Sequence, residues 1–457
     1  MAVIYVRSSD GSDADNGSTW ALAKALVGSS GTATAGATAV DSAGDTIALS
    51  SAHAESLGET LVLACAGTAA SPTRVLSVDD TGSPEPPTSG DLLAGAAVTT
   101  TGTFGIATNG HAYVYGLTYN TGTSTGLGNC SLGQSGDAIQ EYDTCKFRIV
   151  NTNAASAVII GAASNIGGNY VRWKDCTVRF GASTQGVQVY ESCLNWNGGS
   201  LEAGGTAPAT LFELVGVLAT GRGSEVIAEN LNLSGLGTTV DLVGSISGGS
   251  KVVFRNCRLP ASWTGDLVGG TQERGSSVKL HNCNAGDVNY YMWEQYYSGS
   301  TKTETVIVRD SGASDGVTSI SWKMVTTANA AYPHVTLDSP EIVIWNDTVG
   351  ASQTLTAEIV HDSLTALTDA EVWLEVNYLG TSGYPQGVLA DDAVNVLETA
   401  AAQTSSSVNW TTTGITNVNK QKLVVTFTAQ EKGFAYCKIR LAKPSYTVYV
   451  CPKLALA

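Results

Sequence analysis

Four stretches of the chain can be laid over one another: VIAENLNL from Val226, VVFRNCRL from Val252, VKLHNCNA from Val278 and VIVRDSGA from Val306. Their offsets are 26, 26 and 28 residues. Upstream, VRWKDCTV from Val171 fits the same template and QEYDTCKF from Gln140 fits it more loosely. The step between those two is 31, and from Val171 to Val226 it is 55, about two repeats. A period of this size belongs to solenoids, in which each repeat is one rung and buries its apolar face only against its neighbours.

The template specifies strands. Its first and third positions are apolar (Val252 and Phe254, Val278 and Leu280), the alternation of a strand with one buried face. Then comes Asn or Asp: Asp175, Asn230, Asn256, Asn282 and Asp310. After it the apolar residues resume one place out of phase, as at Cys257 and Leu259. A phase break at Asn or Asp is what a tight corner between two strands requires, because these side chains tolerate left-handed backbone angles and bond locally to the main chain. Stacking predicts a corner ladder of these five residues. It also predicts an inward column of Cys145, Cys176, Leu231, Cys257 and Cys283, the thiols acting as small buried hydrophobes. The position before the corner (Asp143, Lys174, Glu229, Arg255, His281, Arg309) mixes charges and reads as a solvated face with pairing across rungs.

The expected fold class is therefore all-β: a parallel β-helix, right-handed by the general rule for parallel crossovers, followed by an antiparallel sandwich. Residues 45–327 would form the helix, about ten or eleven rungs and roughly 50 Å long at ~4.8 Å per rung. Its exposed first rung needs a cap. Residues 1–44 supply one, with a low-complexity excursion at 28–40. In GSDADNGSTW, Asp13, Asp15 and Asn16 suggest a calcium loop, but from Asp13 the fifth position is Gly17 and the twelfth is Lys24, which does not fit an EF-hand. These three are weak metal candidates. The stronger reading is a cap, with Ser18 or Thr19 starting a helix from Ala21 to Leu26 and Trp20 and Leu22 lying over the first rung. The match of Tyr5, Val6, Gly11, Ser12, Asp13, Gly17, Ser18, Trp20 and Gly44–Ile47 resembles the entry segment of pectate-lyase-like β-helix proteins. That resemblance implies the fold and says little about activity.

After a linker at 328–339 the style changes to strands separated by polar turns, among them TLTAEIVH, DAEVWLEVNYL and QKLVVTFTAQ. Spacing and alternation suggest an immunoglobulin- or fibronectin-like β-sandwich over residues 340–457. Its last two strands, flanking AKPS, read as a hairpin that places Cys437 and Cys451 on one face, either as buried thiols or as a disulfide.

Chemistry is less visible. Asp175, Glu202 and Glu229 are 27 apart, about one rung, and with Asp241 they are weak candidates for the carboxylate pair of a glycosidase. The template itself puts Asp175 at a corner and Glu229 on a strand, out of line. The five histidines (His53, His111, His281, His334, His361) show no metal spacing and no paired nucleophile, and no cofactor is expected. Tyr290, Tyr291, Trp293, Tyr296 and Tyr297 cluster in NYYMWEQYY, as a subunit contact or a sugar platform. Lys plus Arg number 24 against 40 Asp plus Glu, a net charge of −16 that disfavours nucleic acid and anionic membranes as partners. No apolar run of 18 residues spans a bilayer. The start MAVIYVRSSDG shows no Sec-type signal, so synthesis in a cytoplasm is expected and a bacterial adhesin is disfavoured.

An acidic β-helix, with only 14% charged residues and 51 glycines, followed by a sandwich resembles bacteriophage virion proteins. The resemblance implies a virion-surface protein made in the host cytoplasm. Its expected role is structural: a capsid decoration (cement or head-fibre) protein, a homotrimer docked on the major capsid protein or another virion protein. The alternative is a receptor-binding tailspike that binds or depolymerises a host surface glycan. Fold alone does not decide between them.

Overall fold

The computed structural model describes residues 2–12, 14–25, 43–123, 125–134, 136–161, 168–215, 223–297, 302–314, 321–327, 337–340, 342–347, 350, 352–380, 395–396, 403–404, 411–413, 415–428, 433–451 and 455–456. The chain divides into two compact units, Met1–Asp287 with Tyr297–Gly299, and Val288–Tyr296 with Ser300–Ala457. No helix is long and apolar enough to cross a membrane among the described residues.

The first unit is a parallel β-helix with three sheets. Ten parallel strands stack in its first sheet among the described residues. They are Val3–Val6, Thr46–Ser50, Thr73–Val78, 112–115, Ile139–Asp143, 170–174, 193–197, Glu225–Glu229, Lys251–Arg255 and 277–281. From Thr46–Ser50 onward these strands lead into a second sheet, from Ala54–Leu57 to residues 284–285, most through a short corner and Thr73–Val78 through a loop at 79–96. A longer turn then leads into a third, from Leu61–Ala66 to Asp241–Ile246 and the bridge residues Val268 and Gln272. The template's apolar positions fall in register: Val171, Leu194, Val226, Val252 and Val278 are successive partners, all fully buried. The strand Cys193–Leu201 is the extra rung implied by the 55-residue step. Inside the coil runs an aromatic spine: Tyr119, Phe147 and Trp173 stack at 5.4 and 4.6 Å, then Trp196, Phe212 and Phe254 follow at 5.2, 6.4 and 5.8 Å.

The corner ladder is present. Asp175, Asn230, Asn256 and Asn282 have φ of 52, 56, 52 and 50°. Each amide donates to the rung before it: Asn282 Nδ2 to Asn256 Oδ1 at 2.8 Å, Asn256 Nδ2 to Asn230 Oδ1 at 3.4 Å, and Asn230 Nδ2 to Asn197 Oδ1 at 3.0 Å. Asp175 sits over Gly198, where an added Cβ would lie 2.2 Å from its Oδ1, and Thr144 (φ 58°) holds the corner one rung earlier. Cys145, Cys176, Leu231, Cys257 and Cys283 are buried behind the corner. The thiols are more than fillers, since each donates to a carbonyl of the preceding rung: Val114, Tyr142, Ala228 and Phe254 respectively, at 3.3–3.5 Å. In the column before the corner, Lys174 meets Asp143 at 2.7 Å and Arg255 meets Glu229 at 2.8 Å. Both pairs are solvent-exposed enough to contribute only a few tenths of a kcal/mol.

Asp310 is not a fifth corner. Its strand, Lys302–Asp310, pairs antiparallel with Ser321–Thr326 and belongs to the second unit. The parallel pairing among the described residues ends at Ala285, whereas the repeat was expected to run to residue 327.

The N-terminal edge is covered by its own segment. Val6 bridges Lys24 in parallel, and Trp20, 1% exposed, packs with Tyr5, Ala23, Ala48 and Val78. The expected helix is a single 3-10 turn, Trp20–Leu22, capped by Thr19, and Ala23 is already extended. Leu22 is 42% exposed and does not lie over the rung. Asn16 makes a side-chain turn to Ser18 N at 2.9 Å, Asp15 offers its backbone carbonyl to Lys24 Nζ, and Asp13 lies outside the described residues.

The second unit is antiparallel. One set of strands is Ser321–Thr326, Tyr446–Val450, Ser352–Asp362 and Val418–Thr428. The other centres on Gly433–Leu441, flanked by Val372–Gly380 and Ile342–Asn346. Leu355, Ile359, Leu423 and Val450 of one set and Leu374, Val376, Cys437 and Ile439 of the other share one buried core. Cys437 and Cys451 are both free buried thiols.

Candidate functional site

Outward-facing positions of the first sheet form columns as regular as the buried ones. In one column Arg74, Tyr113, Glu141 and Arg172 are successive register partners on four adjacent rungs. Rung spacing of about 4.8 Å brings neighbouring side chains within reach of one bound ligand. They floor a cleft of about 610 Å³, within the usual range for small-ligand sites. Its walls are the turn at Ala69 and Pro72 and the loop at Pro87–Leu92, with exposed Ile139 at the rim. The loop is fixed by a capping box at the 3-10 turn Ser89–Asp91: Thr88 N and Oγ1 both donate to Asp91 Oδ2, at 2.7 and 2.8 Å.

The charges in the cleft are largely uncommitted. Among the described residues, neither Arg74 nor Glu141 forms a salt bridge or a side-chain hydrogen bond. Arg172 lies over the Tyr170 ring at 5.1 Å and its Nε donates to Tyr170 Oη at 3.4 Å, which raises its pKa further and fixes the guanidinium plane. The Tyr113 phenol is pushed up by burial first and then by Asp143 and Glu141, so it is a neutral donor at physiological pH. Among the residues lining the cleft, two guanidiniums stand against one carboxylate, on a chain of net charge −16.

The carboxylates suggested by the sequence are elsewhere, and three are already engaged. Glu202 is bound by Arg148, whose Nε donates to Oε2 at 2.6 Å; this contact holds the carboxyl below its usual range. Glu229 pairs with Arg255, and Asp241 Oδ1 accepts from Asp266 N at 2.9 Å. Asp175 occupies the exposed corner. No two of the four are neighbouring register partners, so they do not make the carboxylate pair that glycoside hydrolysis uses. The aromatic cluster also divides. Tyr291 meets Trp322 edge-on at 5.9 Å and packs on the second unit's core. Tyr290 stacks on Trp293 at 5.2 Å, and Trp293 Nε1 donates to Glu304 at 2.6 Å. Tyr297 belongs to the first unit, and the side chain of Tyr296 lies outside the described residues. No cluster of three or more His, Cys, Asp or Glu side chains could hold a metal ion among the described residues.

No protein-family model matches the chain, and no curated protein matches it by sequence. Solved structures similar to it include tailspikes. One is the enzymatically active domain of bacteriophage CBA120 tailspike protein 4, with TM-score 0.28 and 11% identity, covering 91% of this chain and 64% of that one. Another is the tailspike protein of Acinetobacter phage vB_ApiP_P1, with TM-score 0.23 and 13% identity over 89% of this chain and 82% of that one. A third is tailspike gp49 of Acinetobacter baumannii bacteriophage Fri1, a capsular polysaccharide depolymerase, with TM-score 0.17 and 9% identity over 89% and 69%. With TM-scores below 0.5 these are distant likenesses, and the chemistry of the cleft carries the functional reading by itself.

Proposed function

We propose that the chain is a glycan-binding virion-surface protein of the receptor-binding tailspike type, and that the first-sheet cleft takes an acidic surface polysaccharide. The observation that carries this reading is the column Arg74–Tyr113–Glu141–Arg172, whose exposed charges have few protein partners. Guanidiniums bind carboxylates with two parallel hydrogen bonds, and Tyr113 adds a phenol group and a ring face for sugar. Glu141 is the only carboxylate lining the cleft among the described residues, so the arrangement favours binding over hydrolysis by a carboxylate pair.

The phage context rests on the resemblance to phage virion proteins of an acidic, low-charge, glycine-rich β-helix followed by antiparallel strands. Capsid decoration, the first expectation from the sequence, finds no feature of its own in the fold, whereas a cleft lined by two arginines on an acidic β-helix suits the tailspike alternative. A homotrimer is part of the proposal.

The test is binding of the purified protein to a panel of bacterial capsular polysaccharides, some with uronic or sialic acids and some neutral. Carboxylated chains should be retained at low salt and released as salt screens the arginines, while neutral chains should not be retained. Equal retention of both classes, or retention insensitive to salt, would refute an acidic ligand.

A further inference from the structure

One wall of the cleft is held from the N-terminal segment. The loop at 79–96 carries Pro87, Thr88, Ser89 and Leu92, all of which line the cleft. Its feet are pinned by the coil: Val78 bridges Leu92, and Ser77 Oγ donates to Leu93 O at 2.6 Å. Its tip reads SPEPP, residues 83–87. Proline has a fixed φ and no amide hydrogen, so this stretch is stiff and offers a neighbouring segment little but acceptors.

The N-terminal segment supplies the donors. Trp20 N donates to Glu85 Oε1 at 2.6 Å, and Trp20 Nε1 donates to Pro84 O at 3.2 Å. Arg7 Nη1 donates to Asp80 Oδ2 at 3.3 Å while its Nη2 donates to Trp20 O at 3.0 Å, which ties the two anchors together. Ser50 Oγ completes the set by donating to Asp80 Oδ1 at 2.9 Å. Packing follows the same route. Leu76 and Leu92 lie against the cap core around Tyr5 and Trp20, and both also line the cleft. Glu85 is two residues from Pro87, so a tip fixed at 84–85 fixes the stiff backbone that forms the wall.

We propose that Arg7 and Trp20 are positioning residues for ligand binding: they clasp the loop tip and so set where the wall at Pro87–Ser89 stands over the column of Arg74, Tyr113, Glu141 and Arg172. This rests on the reading of the cleft as a glycan site. The experiment compares two charge-matched double variants of the full-length protein. Asp80→Ala/Glu85→Ala removes the acceptors of the clasp. Asp80→Asn/Glu85→Gln removes the same charges and keeps an acceptor oxygen at each position. Amide hydrogen exchange of residues 79–96 is read without ligand, and affinity is read with a uronic-acid capsular polysaccharide. The Ala pair should exchange faster across the loop and bind at least about threefold more weakly, as the competent fraction of the wall falls. The Asn/Gln pair should stay near the wild type in both. On charge alone, losing two carboxylates from the wall loop favours an acidic ligand in both variants alike, so a loss confined to the Ala pair isolates the hydrogen bonds. Equal affinity in the two pairs would overturn the proposal, as would faster exchange in the Ala pair with no loss of binding, which would leave these contacts a role in the cap alone. Failure of the wild type to bind any acidic polysaccharide would sink the glycan reading instead; unequal loop exchange in the two pairs would then still establish the clasp, and equal exchange would remove it.

Discussion

Asn256 adopts φ of 52° and bonds by its amide to both Asn230 and Asn282. Two properties are required at once, tolerance of the left-handed region and a side chain that can both donate and accept. Asn256→Leu should therefore cost about 1–3 kcal/mol. Asn256→Gly should retain the backbone angle and lose only the amide bonds, so its loss should be smaller. Urea midpoints of the two variants check this; an unchanged midpoint for Asn256→Leu would contradict the ladder. This corner was legible because the residue type itself encodes the backbone conformation. Asp310 shows the limit: VIVRD alternates in the same way whether its partner runs parallel or antiparallel, and the chain chose antiparallel. A second polar column was present in the repeat and went unread. Ser224, Ser250 and Ser276 stand 26 apart and are all buried at the turn entering the first sheet, with Ser250 Oγ accepting from Ser224 N at 2.8 Å.

Strands place functional groups by register, and register was only partly readable. Arg74, Tyr113, Glu141 and Arg172 are 39, 28 and 31 residues apart, because the turns between sheets, including the loop that walls the cleft, vary in length. The period that exposes buried columns in the regular later rungs is lost in the earlier ones, where the cleft lies. In the second unit, one buried histidine links three strands. His361 Nε2 lies 2.7 Å from Gln421 Oε1 and its Nδ1 lies 2.8 Å from Tyr446 Oη. Leu367 N donates to that same Gln421 Oε1 while Gln421 Nε2 donates to Leu367 O, which fixes the amide as acceptor toward the ring. Neutral His361 is thus fully satisfied, with Nε2 donating and Nδ1 accepting. Burial lowers its pKa below the usual 6.5. The unfolded chain then binds the proton that the folded one refuses, so stability holds above about pH 6.5 and falls below it, by at most about 1.4 kcal/mol per pH unit. The urea midpoint of the second unit should drop on acidification through this range. His361→Phe should be less stable at every pH but with a flatter pH profile; an equally steep profile would assign the effect elsewhere.

At the scale of the molecule, the placement of charge is not visible in the composition. A net charge of −16 repels acidic polymers in general, so an acidic glycan must be held by a local cluster of opposite sign. The cleft on the first sheet supplies one in Arg74 and Arg172, while Arg148 and Arg255 are spent on Glu202 and Glu229. The most direct measurement is the affinity of an acidic capsular polysaccharide for the wild-type protein, for Arg74→Ala/Arg172→Ala, and for Arg148→Ala/Arg255→Ala, which removes the same charge outside the cleft. The account predicts a loss of at least tenfold, more than about 1.4 kcal/mol, in the first variant only. Equal losses in the two variants, or none in the first, would contradict it.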